Sequence, residues 1–468
     1  MDFDLSFDLV VVGGGSAGVR MARRSANYGA KVALVESSKL GGTCVHLGCV
    51  PKKLFYYTAG FARAFLDAED YGWDFPVQPS LKWDALLKAK DATLAKLGDL
   101  YEKTLTEAKV NIIKGKASFV DDHHIEVVDH TGNAPSPPKR VRAKNFAIAV
   151  GSRAFLPDVP GIDYAKTSND VFALPNLPKE MLIVGSGYIA VEFACIFAAL
   201  GVKIKLAYRS KSVLKNFDED LSAFLTQQMQ SKGIELYPET EIKAIRQTGQ
   251  KYQLDCTNKQ SLQTDFVLYA TGRVANTEAL GLENLSKPLL GKRGSIKVNN
   301  FQTELKHIYA LGDIIGEAQL TPVAIAQANY LAAHLFSPAI AGQLPDYRWL
   351  PTAVFSSPNL ATIGLTETDC IAQGIAAEVY IKTFIPLQHS LTRHRAKEMI
   401  KLIVAKEDQS ILGLHMIGTE APDIVQAIAP GLRKGLTLQD MESTLALHPS
   451  SAEELLNFYP QHLVRTCI

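Results

Sequence analysis

One local pattern occurs twice in this chain of 468 residues and constrains its fold more than any other feature. An apolar run at residues 7–12 leads into the turn GGGSAG at 13–18, and another at 181–184 leads into GSG at 185–187. Both turns are followed by a stretch with helical spacing. A buried strand ending in such a turn places helix N–H groups where they can bind a pyrophosphate. The repeat predicts an α/β fold with two Rossmann-type units and two dinucleotides.

The two units differ in the charge that follows their second strand. In the first unit a strand predicted at 31–35 ends at Glu36, which can accept hydrogen bonds from a ribose hydroxyl. In the second unit the corresponding stretch, AYRSKSVLK at 207–215, has three cations and no acid. Cations suit a ribose 2′-phosphate, so we expect NADPH rather than NADH. A solvated basic loop and a second unit without ligand are the alternatives.

Two cysteines, Cys44 and Cys49, lie in the stretch GGTCVHLGCVPKK at 41–53, ahead of a helical run at 54–66. A first helical turn would bring them close enough for a disulfide, and a helix N-terminus with Lys52 and Lys53 would favour a thiolate. A structural disulfide, half of a metal site and two unrelated core cysteines are the alternatives. No second pair at zinc spacing occurs nearby, and structural disulfides are rare inside cells. We interpret the cysteines as a redox-active pair.

Overall charge and hydropathy indicate the class of protein. The 49 basic and 48 acidic residues leave a net charge of +1, which gives no sign of a nucleic-acid or membrane partner. No apolar run approaches membrane-spanning length, and no basic leader precedes the first strand. Six cysteines in so long a chain are not a secreted disulfide framework. We expect a cytoplasmic protein without a metal site.

The stretch at 41–53 closely resembles the active-site segment of the flavin-dependent disulfide reductases, the class I pyridine nucleotide-disulfide oxidoreductases. Four further segments resemble that family's motifs in the same order: the two glycine turns, IYALGD at 308–313 and HPSSAEE at 448–454. Two lysines after the proline are typical of its glutathione, trypanothione and large-type thioredoxin reductases. Dihydrolipoamide dehydrogenases usually have Ser-Lys there.

The resemblance implies two Rossmann-like FAD/NAD(P)-binding domains and an α+β C-terminal dimerisation domain. The expected FAD-binding domain is residues 1–155, with a helical insertion at about 55–110, and it is completed by a central part at 276–348. The NADPH-binding domain is expected at 156–275 and the interface domain at 349–468. A homodimer follows from the resemblance alone.

The resemblance also implies how electrons reach the disulfide. FAD accepts hydride from NADPH, and the reduced flavin opens Cys44–Cys49. Cys49 lies nearest the flavin, and Cys44 attacks the substrate disulfide. Lys52 and Glu192 match an ion pair beside the flavin N5, and Tyr188 matches a gate over the flavin.

Near the C-terminus, His448 has a carboxylate five residues later at a predicted helix start, where Glu453 could bond one ring nitrogen and orient the other. By resemblance this histidine is the acid/base that acts across the dimer interface on the other subunit's disulfide. A lone histidine is more often a surface or core residue.

Further residues are assigned to the cofactors by resemblance. Those expected to bind FAD are Gly13, Gly15, Ser16, Ala17, Gly18, Glu36, Thr43, Lys52, Ala117, Asp313 and Thr321. Those expected to bind NADPH are Gly185, Gly187, Ile189, Arg209, Lys215, Gly272 and Arg273.

The expected substrate is glutathione disulfide. Arg23 and Tyr101 match glutathione-binding positions of the family. Arg20 occupies a position that is acidic in trypanothione reductases, and with Arg23 it makes a cationic entrance that favours an anionic peptide disulfide.

Three other functions compete with this interpretation. A large-type thioredoxin reductase carries a redox pair on a mobile tail, but this chain ends in the single Cys467. A dihydrolipoamide dehydrogenase of a multienzyme complex would predict NAD preference and Ser-Lys after the proline. A non-catalytic flavin-binding scaffold would leave the cysteine pair, Lys52 and His448 unexplained. His46 and Asn329 depart from an asparagine and an arginine that are common in the family.

Overall fold

The computed structural model describes residues 5–77, 79–130, 132, 134–340 and 342–467. None of the helices in these ranges is long and apolar enough to cross a membrane. The strands form three main sheets, which are described in chain order.

The first sheet has the order β3-β2-β1-β6-β5-β4, with β1, β2, β3 and β6 parallel and β4 and β5 antiparallel. The elements of this part of the chain are β1 (Leu5–Val12), α1 (Ser16–Asn27), β2 (Val32–Glu36), α2 (Gly42–His46), α3 (Cys49–Asp70), α4 (Trp83–Glu107), β3 (Asn111–Lys114), β4 (Lys116–Asp121), β5 (His124–Val128), β6 (Lys139–Ile148) and β7 (Ser152–Ala154). The central strand β1 is apolar and buried over its second half, as a parallel strand covered on both faces must be.

The second sheet is a four-stranded parallel sheet of order β10-β9-β8-β14, accompanied by the antiparallel sheet β11-β12-β13. Its elements are α5 (Ser168–Val171), β8 (Glu180–Val184), α6 (Tyr188–Ala199), β9 (Lys203–Ala207), α7 (Glu219–Ser231), β10 (Glu235–Tyr237), β11 (Ile242–Thr248), β12 (Lys251–Cys256), β13 (Ser261–Thr264), β14 (Phe266–Tyr269) and β15 (Arg273–Ala275). Strand β15 pairs with β7 and so joins this part to the first.

The chain then returns to the first sheet. Strand β16 (Ile308–Ala310) adds to β6 in parallel, and helix α8 (Thr321–Phe336) packs against α1. Residues far apart in sequence therefore meet at the carboxyl edge of one sheet, where ligands bind in open α/β folds.

The third sheet is entirely antiparallel, with the order β17-β18-β21-β20-β19-β22. Its elements are β17 (Thr352–Val354), β18 (Leu360–Gly364), α9 (Glu367–Gln373), β19 (Ala377–Phe384), β20 (Glu398–Ala405), β21 (Ile411–Ile417), α10 (Ala421–Arg433), α11 (Leu438–Ser443) and β22 (Leu463–Cys467).

The predicted fold class is confirmed, whereas the proposed domain boundaries stay a prediction. Two local expectations differ from the structure. Helix α3 begins at Cys49, ahead of the predicted run at 54–66, and a break at Leu47–Gly48 separates it from α2. The two cysteines therefore lie on different helices and not on one first turn. Strand β4 has no counterpart in the sequence-based prediction.

Candidate active site

The first glycine turn is packed tightly on one side and open on the other. A side chain at Gly18 would meet the Gly13 carbonyl oxygen at 1.8 Å, and one at Gly13 would meet the Ala149 carbonyl oxygen at 2.5 Å. At Gly15, the N-cap of α1, the same test finds no atom within 4 Å. Two glycines thus permit close packing, and the third leaves room for a ligand at the helix N-terminus.

Glu36 lies beside this turn at the end of β2. Its carboxylate accepts hydrogen bonds from the backbone N–H groups of Gly14 at 2.5 Å and Ser38 at 2.7 Å. These bonds fix the carboxylate at the mouth of the turn. Each oxygen keeps a lone pair that a ribose hydroxyl can use.

The cysteine pair lies at the junction of two helices. Cys44 is on the short helix α2, and Cys49 is the first residue of α3. A side chain at Gly48 would approach the Thr43 carbonyl oxygen to 2.9 Å, so glycine permits the tight connection. Both cysteines are thiols in the structure, and Cys49 Sγ lies 3.8 Å from Thr321 Oγ1.

The two thiols have opposite acid–base character. A hydrogen bond from Cys44, another from Thr321 and the charge of Lys52 lower the pKa of Cys49 to about 6. The same hydrogen bond, together with burial, raises the pKa of Cys44. Near neutral pH the pair is therefore a Cys49 thiolate and a Cys44 thiol.

A buried ion pair lies one turn along α3. Lys52 Nζ is 2.7 Å from Glu192 Oε1, and the two side chains are only 13% and 6% exposed. The backbone N–H of Phe355 donates to the same carboxylate oxygen at 2.9 Å. Nearby, Tyr188 is 39% exposed as a whole residue, and burial of its hydroxyl raises the pKa of Tyr188 to about 12.

A series of hydrogen bonds connects β7 with the segment that follows β16. Arg273 Nε donates to Ser152 Oγ at 2.8 Å, and Ser152 Oγ donates to Asp313 Oδ2 at 2.7 Å. The backbone N–H of Gly312 donates to Gln327 Oε1 at 2.7 Å. These bonds hold Asp313 at the carboxyl edge of the first sheet.

One cavity of about 2380 Å³ connects these groups. The predicted site residues that line it are Gly13, Gly15, Ser16, Ala17, Glu36, Thr43, Cys44, Cys49, Lys52, Ala117, Tyr188, Ile189, Glu192, Arg273, Asp313 and Thr321. Among the described residues, some predicted cofactor-binding residues do not line this cavity. They are Gly18, Gly185, Gly187, Gly272, Arg209 and Lys215, and Gly18 packs beneath the first turn.

The second glycine turn repeats the construction of the first. A side chain at Gly185 would meet the Ala270 carbonyl oxygen at 2.3 Å, whereas at Gly187 no atom lies within 4 Å. Arg209 and Lys215 are both exposed in the segment after β9. The guanidinium of Arg209 lies 3.7 Å from the exposed carboxylate of Glu241.

The predicted substrate residues cluster on α1 and α4. Burial and the charges of Arg23 and Arg24 lower the pKa of Arg20. Burial and the nearby Cys44 raise the pKa of Tyr101, which places its ring close to the cysteine pair. No ion pair joins Arg20 or Arg23 to a carboxylate in the part of the chain that the structure describes. This cluster therefore carries an unpaired positive charge, and Arg20, Arg23 and Tyr101 are not among the described residues that line the large cavity.

His448 is separate from the large cavity and 79% exposed at the side chain. Its Nδ1 is 2.8 Å from Glu453 Oε2, and Glu453 is fixed in turn by the Ser450 backbone N–H. The hydrogen bond leaves Nε2 free to face outwards. The predicted helix start is a short 3₁₀ turn, Ser451–Leu455.

Two family models match the chain. The model described as pyridine nucleotide-disulphide oxidoreductase matches residues 7–328, and the model of that family's dimerisation domain matches residues 350–458. The chain belongs to the pyridine nucleotide-disulphide oxidoreductases. Membership makes it a flavoprotein disulfide reductase whose cofactors are FAD and NADPH.

Three curated relatives are 37% identical to this oxidoreductase. Glutathione reductase of Nostoc sp. aligns with 97% of the chain and 99% of its own length. Chloroplastic/mitochondrial glutathione reductase of Pisum sativum aligns with 96% of the chain and 82% of its own length. Glutathione reductase of Burkholderia cepacia aligns with 96% and 98%.

The chain's residues fit both cofactors of this family. At each glycine turn, one glycine packs against a neighbouring carbonyl and another opens to empty space at a helix N-terminus. Gly42, the first residue of α2, faces the first turn: a side chain there would come within 2.8 Å of Gly15 Cα and would crowd the helix N-terminus. Bound FAD would carry electrons from NADPH to the cysteine pair.

Some functional contacts had no signal in the sequence. Phe355, which directly follows β17, contacts the Lys52–Glu192 pair. It is about 160 residues from Glu192 in the sequence, and no motif surrounds it.

The two residues that depart from the family pattern lie at different places. His46 donates through Nε2 to the Leu40 carbonyl oxygen at 2.8 Å and lines the cavity. Asn329 is a half-buried residue of α8.

Proposed function

We propose that this oxidoreductase reduces glutathione disulfide to glutathione with NADPH and thereby maintains thiol redox balance. The proposal rests mainly on the Cys49–Cys44 pair, one a thiolate and the other a thiol, in the cavity that the Lys52–Glu192 ion pair also lines. The unpaired positive charge of Arg20 and Arg23 beside Tyr101, which also lies near Cys44, supports an anionic disulfide as substrate. Three relatives named glutathione reductase support it as well.

The reaction divides between the two cysteines. The Cys44 thiol loses its proton to a base and attacks one sulfur of glutathione disulfide, which releases the first glutathione as a thiolate that takes up a proton. The Cys49 thiolate then attacks Cys44, forms the intramolecular disulfide and releases the second glutathione. NADPH supplies the two electrons that reopen this disulfide. The thiolate character of Cys49 and the protonated state of Cys44 support this order.

Substrate and coenzyme selection rest on charge. Arg20, Arg23 and Tyr101 bind the glycyl and glutamyl carboxylates and the backbone of the anionic disulfide. Arg209 and Lys215 bind the 2′-phosphate of NADPH, and the open position at Gly187 supports binding of the pyrophosphate.

The base is His448 of a second copy of the chain. An exposed imidazole bonded to Glu453 in a region that matches the dimerisation model supports this assignment. Mixed dimers of a Cys44→Ser chain and a His448→Ala chain test it. Each hybrid would keep one intact site, so activity well above either parent is expected. Hybrids as inactive as the parents would overturn action in trans.

The relay of a large-type thioredoxin reductase is less well supported. Cys467 is the last residue of β22, where it pairs with Ala377 and is 5% exposed. A Cys467→Ser variant is expected to keep full turnover. Loss of turnover would instead support a relay through Cys467.

Steady-state NADPH oxidation tests the proposed function. Purified enzyme is compared on glutathione disulfide, trypanothione disulfide and oxidised thioredoxin, and then with NADH. We expect turnover with glutathione disulfide and NADPH, and loss of most of it in Arg20→Ala/Arg23→Ala through a raised KM. Turnover with thioredoxin alone would overturn the proposal. We place the reaction in the cytoplasm, which cell fractionation would test.

A further inference from the structure

Two consecutive lysines of α3 contact one aromatic ring. Lys52 Nζ lies 4.1 Å from the centroid of Phe355, and Lys53 Nζ lies 3.4 Å from the same centroid. The face of an aromatic ring attracts a cation that lies this close to its centroid. Phe355 therefore lies between the ammonium that pairs with Glu192 and a second ammonium.

Phe355 is also bonded to the ion pair through its backbone. Its N–H donates to Glu192 Oε1, the oxygen that accepts from Lys52. A shift of Phe355 would change the direction in which this buried carboxylate points. The ring position and the ion-pair geometry are thus mechanically linked.

The surroundings hold Lys53 over the ring. Its ammonium lies 4.4 Å and 5.1 Å from the ring centroids of Tyr56 and Tyr57. Tyr56 in turn packs edge-on against Phe355, with centroids 5.6 Å apart. Among the described residues, Lys53 has no carboxylate within ion-pair distance. Aromatic faces are therefore its main partners.

The charges that face Lys53 come from three helices. They are Lys52 on its own helix, Glu192 on α6 and Asp423 on α10. Burial and the charge of Lys52 lower the pKa of Lys53 to about 8, and the two carboxylates act in the opposite direction. The ammonium is thus present at neutral pH and is lost in mildly alkaline solution.

We propose that Lys53 is a positioning residue: through the ring of Phe355 it holds Glu192 and Lys52 in the geometry that assists flavin reduction. The inference rests on flavoprotein chemistry and does not need the glutathione assignment.

A double-mutant cycle tests the proposal on the holoenzyme. Lys53→Met, Phe355→Leu and the double variant are compared in anaerobic reduction of the flavin by NADPH, without a disulfide substrate. Loss of one contact of about 0.5–1 kcal/mol corresponds to about a two- to fivefold slower reduction in Lys53→Met. In the Phe355→Leu background the same change should have no further effect, because the ring through which it acts is gone.

Two further readouts separate positioning from simple packing. Lys53→Arg, which keeps the cation, should restore the rate, and wild-type reduction should slow across pH 8 whereas that of Lys53→Arg should not. The flavin midpoint potential, measured against a reference dye, should shift in Lys53→Met and return in Lys53→Arg. Equal effects of Lys53→Met with and without the ring, or an unchanged rate and potential, would overturn the proposal. Because glutathione is absent throughout, failure here is distinct from failure of the substrate assignment.

Discussion

At the scale of single residues, the site works by making two chemically identical thiols unlike each other. Cys49 accepts hydrogen bonds and lies near Lys52, whereas Cys44 donates to it. The helix N-terminus of α3 adds to the stabilisation of a negative charge at Cys49. Near neutral pH this difference in pKa makes Cys49 a thiolate and leaves Cys44 as a thiol that needs a base before it can act as a nucleophile.

The charge of Lys52 makes a prediction about the Cys49 thiolate. Lys52→Met should raise the pKa of Cys49 from about 6 part of the way to its ordinary value of 9.0. The thiolate absorbance of the reduced enzyme, titrated against pH, measures this. Lys96→Met, at an exposed position of α4, is the control and should leave the titration unchanged. An unaltered titration in Lys52→Met would contradict the electrostatic role.

At the scale of elements, two strand–turn–helix units are built alike and use their glycines in two ways. Some glycines pack against a backbone carbonyl, namely Gly13 and Gly18 in the first turn and Gly185 in the second. Another glycine in each turn, Gly15 or Gly187, lies open at the helix N-terminus. Local packing thus explains the spacing of the motif, and ligand access explains why the open position is also glycine.

Alanine substitutions should separate these two uses. Gly18→Ala places a methyl group 1.8 Å from the Gly13 carbonyl oxygen, so we expect a lower melting temperature as well as loss of FAD. Gly15→Ala should fold normally but weaken FAD binding by about 1–3 kcal/mol, which is about 5- to 150-fold in Kd. Circular dichroism and flavin titration measure the two effects, with Gly60→Ala on α3 as control. Loss of fold in Gly15→Ala would contradict the assignment.

The elements with a local signal were predictable from the sequence, and long-range contacts were not. Buried strands such as β1 and β8 are mainly apolar runs that end directly before a glycine, and the bond between His448 and Glu453 spans only five residues. The start of α3 at Cys49 was missed because Cys49, Val50 and Pro51 have low helix propensity. Phe355 and Ser152 reach the site through tertiary packing, which no local pattern records.

At the scale of the whole molecule, a buried ionic network ties the third sheet to the second. Lys401 of β20 is 1% exposed and contacts Asp218, Asp220 and Glu367 at 2.6–2.9 Å. Arg465 of β22 joins Asp220 and Glu367. Hydrogen bonds from Arg465 and Lys401 lower the pKa of Glu367 to about 2. The ionised carboxylate of Glu367 therefore stabilises the fold fully above its ordinary pKa of 4.5, and this stabilisation is lost as the pH falls towards 2.

Replacing Lys401, the cation at the centre of this network, should lower the stability of the fold. Lys401→Met would leave the buried carboxylate of Asp218 without its cation, whereas Asp220 and Glu367 would keep Arg465, and we expect about 3–5 kcal/mol less free energy of unfolding. Urea unfolding at neutral pH measures this loss. Lys88→Met removes an exposed lysine of α4 and should change stability by less than about 1 kcal/mol. A similar, small effect of both substitutions would show that the network does not join the sheets energetically.

The most direct test of the account is the visible spectrum of the oxidised Cys44→Ser and Cys49→Ser holoenzymes, beside that of the wild type after anaerobic reduction with NADPH. A thiolate in contact with oxidised flavin gives a long-wavelength absorbance, so the band identifies the thiol on the flavin side. We predict that Cys44→Ser shows this band without substrate turnover, with a titration near pH 6, and that Cys49→Ser lacks it. A band in Cys49→Ser and none in Cys44→Ser would reverse the roles of the two cysteines and contradict the proposed path of electrons.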